Sequence, residues 1–219
     1  MKRVEVLVAT KNVKKLSEIK ELLKGLPVKL TSLADYPRAP RIIENGDTFA
    51  DNAGKKALKI AAFSGKLTVG EDSGLCVDAL RGAPGVRSAR FSGSGKDDEA
   101  NNRKLLRLLK DVKPSRRGAG YVCAVAVADR NGLLAVVEGA CRGRIASQPS
   151  GSSGFGYDPL FLIPRYSKTF AQLGEKVKHT MSHRYRALKK AAPVLKRYIE
   201  FNCKQSNREP KIENRVKNR

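Results

Sequence analysis

A mixed α/β fold is what the sequence predicts, on three observations. A valine-rich run at residues 4–9 leads directly into Leu16, Ile19, Leu22, Leu23 and Leu26 at helical spacing, the pattern of a buried strand followed by a helix. Two apolar runs, 121–128 and 133–138, meet across Asp129-Arg130-Asn131-Gly132, and Asn-Gly at that place marks a hairpin. Strand and helix patterns then alternate in the order β-α-β-α-β-β-α-β-β-α, with no internal repeat.

The elements follow in order. Gly25 and Pro27 stop the first helix, and residues 28–30 form a short second strand. Residues 35–46, with Pro37 and Pro40, read as a loop. Asp47 or Thr48 caps the next helix, whose inner face carries Phe49, Ala53, Ala57 and Ile60. Residues 68–71 are a strand running into Asp72-Ser73-Gly74, and 75–80 are apolar again. Gly82-Ala83-Pro84-Gly85 is a tight loop. Residues 97–110 are helical by the spacing of Leu105, Leu106, Leu108 and Leu109. Residues 150–156, Ser-Gly-Ser-Ser-Gly-Phe-Gly, are too rich in glycine for a regular element and read as a loop shaped around a ligand. Ser182 caps a last helix with Leu188, Ala192, Leu195 and Ile199 inside, which Pro193 should kink or divide.

Composition bounds the function. The chain has 219 residues, 41% of them hydrophobic, enough for a core and too many for a disordered chain. The apolar runs are too short to span a bilayer, and no apolar leader follows Met1-Lys2-Arg3, so a cytoplasmic location without membrane partners is expected. Cys76, Cys123, Cys141 and Cys203 show no Cys-x-x-Cys spacing, which argues against a zinc site or a disulfide framework. The net charge is +23, of which +9 falls in residues 184–219. Such a balance favours anionic partners such as phosphates, nucleotides or nucleic acid.

Five segments could carry chemistry. Thr10-Lys11-Asn12-Val13-Lys14-Lys15 joins a strand to a helix start, where backbone N–H groups attract anions. Glu71-Asp72-Ser73-Gly74 ends a strand. If the extended conformation persists, the two carboxylates point to opposite faces, one for a metal ion or a water, the other for supporting contacts. Glu44 precedes a helix that carries Lys56. Phe155-Gly156-Tyr157-Asp158 presents an aromatic ring able to stack on a base. Lys178 and Ser182-His183-Arg184, placed at the start of the last helix, supply donors for a carbonyl or a phosphate.

In this order the blocks Thr10-x-Asn12-x-x-Lys15, Thr48-Phe49-x-x-Asn52-Ala53, Glu71-Asp72-Ser73-Gly74-Leu75, Gly82-Ala83-Pro84-Gly85 with Ser88-Ala89-Arg90-Phe91, Gly154-Phe155-Gly156-Tyr157-Asp158-Pro159 and Ser182-His183-Arg184 strongly resemble the inosine triphosphate pyrophosphatase (Ham1-like) family. The resemblance implies a long curved central sheet flanked by helices, with two lobes and the active site in the cleft between them. It implies Mg²⁺-dependent hydrolysis of ITP, dITP and XTP to the monophosphate and pyrophosphate by a homodimer. Asp72 would be the general base and a metal ligand, with Glu44 and Glu71 also at the metal. Residues 10–15, Lys56 and Ser73 would hold the phosphates. Phe155 to Asp158, Lys178, His183 and Arg184 would recognise the base. Residues 1–203 would form the two-lobed domain, and 204–219 a basic, flexible tail. Glu71 stands where many bacterial members have Asp. The alternatives are a basic nucleic-acid-binding protein and a Maf-like pyrophosphatase acting on modified pyrimidine nucleotides. The absence of a nucleic-acid-binding motif argues against the first, and the Gly-Phe-Gly-Tyr-Asp and Ser-His-Arg blocks against the second.

Overall fold

A computed structural model describes residues 4–95 and 97–206. Seven strands form one mixed sheet in the order β2-β1-β3-β4-β5-β6-β7. These are β1 (Val4–Val8), β2 (Val28–Ser32), β3 (Leu67–Val77), β4 (Gly118–Asp129), β5 (Gly132–Ile145), β6 (Phe161–Ile163) and β7 (Lys168–Thr169). β1 runs parallel to both β2 and β3, and all other pairs are antiparallel. Five helices flank the sheet: α1 (Val13–Leu22), α2 (Phe49–Ser64), α3 (Asp98–Leu108), α4 (Phe170–Met181) and α5 (His183–Ser206).

Three differences from the sequence reading concern the site. First, the strand expected at 68–71 and the apolar run at 75–80 join in one eleven-residue strand, Leu67–Val77, and Asp78–Leu80 leave it as a short 3-10 turn. Ser73-Gly74 looks like a turn, but Gly74 is required by close packing: a Cβ there would lie 2.4 Å from Ser88 Oγ. Second, an additional helix, α4, carries Lys178 on its last turn, so Lys178 does not belong to the start of the last helix. Gly174 adopts φ 76° inside it, and that break hides the helical period. Third, α5 continues undivided past Pro193. The two short strands β6 and β7 are also additions, and β5 extends to Ile145. The expected caps are present: Thr48 Oγ1 accepts from the Asp51 N–H at 3.0 Å and Ser182 Oγ from the Tyr185 N–H at 3.2 Å. Of the expected tail at 204–219, residues 204–206 end α5, and the rest lies outside the described residues.

Side-chain alternation along β3 and β4 sorts the core. Odd positions face α1 and α5 at one end of the sheet, where Val69, Cys123, Val125 and Val127 pack with Ile19, Leu188 and Leu195. Further along the same face, Leu75, Val77 and Tyr121 pack with Leu105, Phe161 and Phe170. The two clusters divide this face of the sheet between them. Even positions face α2, where Ala124, Ala126 and Ala128 meet Phe49, Ala53 and Ala57. Two glycines set how closely the helices approach. A Cβ on Gly70 would lie 2.2 Å from the Ala53 carbonyl oxygen of α2, and one on Gly139 would lie 2.3 Å from the His183 carbonyl oxygen of α5.

β1 pairs with β3 only as far as Val69. From Leu75 onward the same edge of β3 is taken by Ser88, whose Oγ accepts from the Leu75 N–H at 2.8 Å, and by a bridge from Cys76 to Pro84. Among the described residues, the edge at Glu71–Gly74 is therefore left without a neighbouring strand.

Candidate active site

The open edge of β3 separates two clusters of polar groups. On the α2 face, Asp72 and Glu44 converge on Lys56. Lys56 Nζ lies 3.0 Å from Asp72 Oδ1 and 2.7 Å from Glu44, and it donates to the Glu71 carbonyl oxygen at 3.1 Å. Asn52, one turn before Lys56 on α2, donates from Nδ2 to Asp72 Oδ2 at 3.2 Å. Burial raises the Asp72 carboxyl above the ordinary aspartate range, and the pull of Lys56 and Lys15 does not overcome it. Burial opposes the Lys56 ammonium, but the charges of Asp72 and Glu44 outweigh it and raise its pKa.

On the opposite face, charges of alternating sign form a continuous chain, buried except for the partly exposed Lys15 at its start. Lys15 pairs with Glu71 at 2.8 Å, and Glu71 with Arg184 at 3.0 Å. Arg184 pairs with Glu18, Glu18 with Lys178 at 2.9 Å, and Lys178 with Asp158 at 2.6 Å. Arg184 also donates to Ser73 Oγ at 3.0 Å. Burial works against the Glu71 and Glu18 carboxylates. Arg184 with Lys15 holds the first well below its usual value, and Arg184 with Lys178 lowers the second.

Beside this chain lies a cavity of about 340 Å³ lined by Asn12, Val13, Lys14, Lys15, Ser73, Tyr121, Phe155 to Asp158, Lys178, His183 and Arg184 among others. His183 stacks on Tyr121, with ring centroids 4.6 Å apart and planes 10° from parallel. Burial, then the charges of Arg184 and Lys178, push its pKa well below 6.5, so the imidazole is neutral at pH 7. Its Nδ1 and the Arg184 Nε are buried without a hydrogen-bond partner. Phe155 is held at the cavity by its flanking backbone: its N–H donates to Asp158 Oδ2 at 3.0 Å. Lys178 Nζ lies 4.7 Å from its ring centroid.

The sequence of this site matches the Ham1 family over residues 6–194. The chain belongs to the Ham1 family. A relative from Desulforamulus reducens, named dITP/XTP pyrophosphatase, is 49% identical over 89% of this chain and 96% of its own. One of the same name from Rhodopirellula baltica is 48% identical over 90% of this chain and 96% of its own. Among solved structures, a HAM1 protein from Coxiella burnetii superposes with TM-score 0.81 at 36% identity, covering 89% of this chain and 99% of that one.

Within this Ham1 fold most of the expected site residues come together. Asn12 caps α1, its side chain accepting from the Lys15 N–H at 3.1 Å, which brings the start of the helix to the cavity. Thr10 supports that turn by accepting from the Asn12 N–H at 3.0 Å and does not line the cavity. Lys11 is exposed and lies off the cavity wall. Glu71, expected beside Asp72 at a metal, is instead enclosed by Lys15 and Arg184 on the other face of the sheet. The extended backbone sends adjacent side chains apart. Among the described residues no group of three or more His, Cys, Asp or Glu side chains could hold a metal ion. The pair Glu44 and Asp72 does gather around a cation, the Lys56 ammonium, and a magnesium ion needs only one or two carboxylates when phosphates and waters complete its shell. Two residues were not foreseen. Glu18 looks like one more charge on a solvated helix face, although its spacing of three from Lys15 and four from Leu22 places it beside the buried stripe. Asn52, four residues before Lys56, reads in sequence as part of a charged, solvated helix face, yet it is buried and bonds Asp72. Among the described residues no helix is long and apolar enough to cross a membrane.

Proposed function

We propose that this protein hydrolyses non-canonical purine nucleoside triphosphates (ITP, dITP and XTP) to the monophosphate and pyrophosphate. One observation carries the reading. A cavity with an aromatic ring and unpaired buried nitrogens opens at Ser73 and Gly74, on the edge of the same strand whose Asp72 meets Lys56 and Glu44. A nucleoside in the cavity extends its phosphates across that edge to the Asp72 group.

Each part has a physical task. The start of α1 and Lys15 attract the phosphates. Leu75 directs its N–H to the open edge, so Ser73, two residues earlier, directs its own N–H the same way and donates to a phosphate oxygen. Glu44 and Asp72 are the residues that would hold a divalent cation, magnesium by preference, which supplies neutralising charge on the phosphates and a more acidic water. Asp72 accepts the proton of the attacking water. The new bond joins that water oxygen to the α-phosphorus. The bond from the α-phosphorus to the bridging oxygen breaks, and pyrophosphate leaves with the electron pair. Lys56 balances the charge that develops on the leaving group.

Base selection follows from hydrogen bonding. Hypoxanthine and xanthine present a 6-keto acceptor, adenine a 6-amino donor. Arg184 is a pure donor, and its unpaired Nε, with an N–H of neutral His183, favours the keto group. A donor left facing the adenine amino group costs about 1–3 kcal/mol. The reading extends to a cytoplasmic homodimer, for which the measurement is sedimentation velocity.

The decisive experiment is pyrophosphate release from ITP, XTP, dITP, GTP, ATP and UTP, with and without Mg²⁺. Mg²⁺-dependent turnover of the first three well above the others is expected. Equal turnover of all six would overturn the specificity, and no turnover by folded protein would overturn the reaction. Turnover of ITP relative to ATP in His183→Ala tests the base contact; an unchanged ratio removes His183 from it.

A further inference from the structure

We propose that Asp98 and Asn102 of α3 are positioning residues that set the aromatic wall of the nucleoside cavity by gripping both peptide groups of Gly156. The proposal rests on the hydrolase reading above and adds a pair of residues outside the motifs that carry it.

The two side chains stand four residues apart, on the same face of the helix. Asp98 Oδ2 accepts from the Gly156 N–H at 2.8 Å, and Asn102 Nδ2 donates to the Gly156 carbonyl oxygen at 3.0 Å. Gly156 has φ 65°, a conformation that needs outside support because glycine alone visits many others at similar energy. Phe155, which precedes it, has its own N–H tied to Asp158. The Phe155-Gly156 turn is thus held from two sides, by α3 through Asp98 and Asn102 and by α4 through Lys178 and Asp158. Tyr157 is fixed as well, its hydroxyl donating to the Ser88 carbonyl oxygen at 2.8 Å.

Two further observations favour a role in positioning over ordinary helix chemistry. Asn102 is buried, yet its Oδ1 lacks a hydrogen-bond partner. That cost is accepted at a position where Nδ2 is committed to Gly156. Asp98 lines the same cavity as Phe155, so α3 reaches the nucleoside end of the site and stays away from Asp72. Releasing either peptide group lets the ring leave the plane in which it meets a base. The phosphate end keeps its contacts.

The test uses the full-length protein with ITP, and with inorganic tripolyphosphate as a competitive inhibitor that has no base. In Asp98→Ala and Asn102→Ala, KM for ITP should rise about tenfold, the worth of one hydrogen bond to a fixed backbone group, while kcat changes by less than about twofold. Inhibition by tripolyphosphate should stay as in the wild type. Asp98→Asn keeps an acceptor for the Gly156 N–H and should recover most of the affinity. If tripolyphosphate inhibition weakens in step with ITP, the residues act on the whole site and the proposal fails. If Asp98→Asn is as impaired as Asp98→Ala, or only ribonucleotides and not dITP are affected, Asp98 acts by charge or by touching the sugar, and the proposal fails again. Failure of the wild type to turn over ITP would instead reject the hydrolase reading.

Discussion

At the scale of single residues, Asp72 and Glu18 illustrate two kinds of buried carboxylate. Asp72 is held by a donor pair from one helix, Asn52 and Lys56, and faces the open strand edge. Asp72→Asn keeps its size and its contact to Lys56 but cannot take a proton. Its kcat on ITP should fall about 1000-fold with the melting temperature little changed, as read by pyrophosphate release and calorimetry. Glu18 is buried and pairs with both Arg184 and Lys178. Removing its charge leaves two buried cations sharing fewer anions, so Glu18→Gln should cost about 3 kcal/mol and lower Tm by about 10 °C. The pH dependence has a definite sign. The folded pKa of Glu18 lies below its ordinary value of 4.5. Its contribution is therefore complete above that value and fades as pH falls through the lowered one. Denaturation of wild type and Glu18→Gln across a pH series should show a gap that is constant near neutrality and closes in acid.

The elements show how much was legible beforehand. The strand-helix-strand opening, the hairpin between β4 and β5 and the cap at Thr48 are written in local signals: valine runs, helical spacing, Asn-Gly, a threonine before Phe49. The opposite facing of Glu71 and Asp72 also follows from strand alternation alone. The metal role of Glu71 was an implication of the family resemblance, and sequence alone does not foretell its partners, Lys15 and Arg184, which come from α1 and α5. β6, β7 and α4 escaped notice for a different reason. The strands are two or three residues long, and Gly174 interrupts the one helix that delivers Lys178. Packing glycines are equally silent in sequence, yet Gly139 fixes where α5 begins. In Gly139→Ala the new methyl group must displace the backbone at His183 and Ala187. The variant should lose about 1–3 kcal/mol of stability and raise KM for ITP, because His183 and Arg184 move together. Denaturant titration and steady-state kinetics measure the two effects.

For the whole molecule, the dominant quantity is the charge of +23. The buried chain from Lys15 to Asp158 contains three cations and three anions and so contributes nothing to it; the excess is carried elsewhere. Like charges on the surface repel one another and oppose compaction, and the same field attracts a polyanionic substrate. Added salt screens both effects. In a sodium chloride series from about 0.05 to 0.5 M, Tm should rise while kcat/KM for ITP falls at constant Mg²⁺. A Tm that falls with salt would show that attractive surface pairs outweigh the repulsion.

The alternating buried chain also constrains the routes by which such a sequence can drift. Its six members come from α1, β3, α4, α5 and the loop before β6, so they are scattered from residue 15 to residue 184. Each is compensated only by its immediate neighbours. A single change of charge anywhere strands a partner, and a second change far away in the chain is needed to restore neutrality. Descendants of this protein should therefore vary freely in their exposed lysines, while these six positions pass from one generation to the next as a single heritable unit.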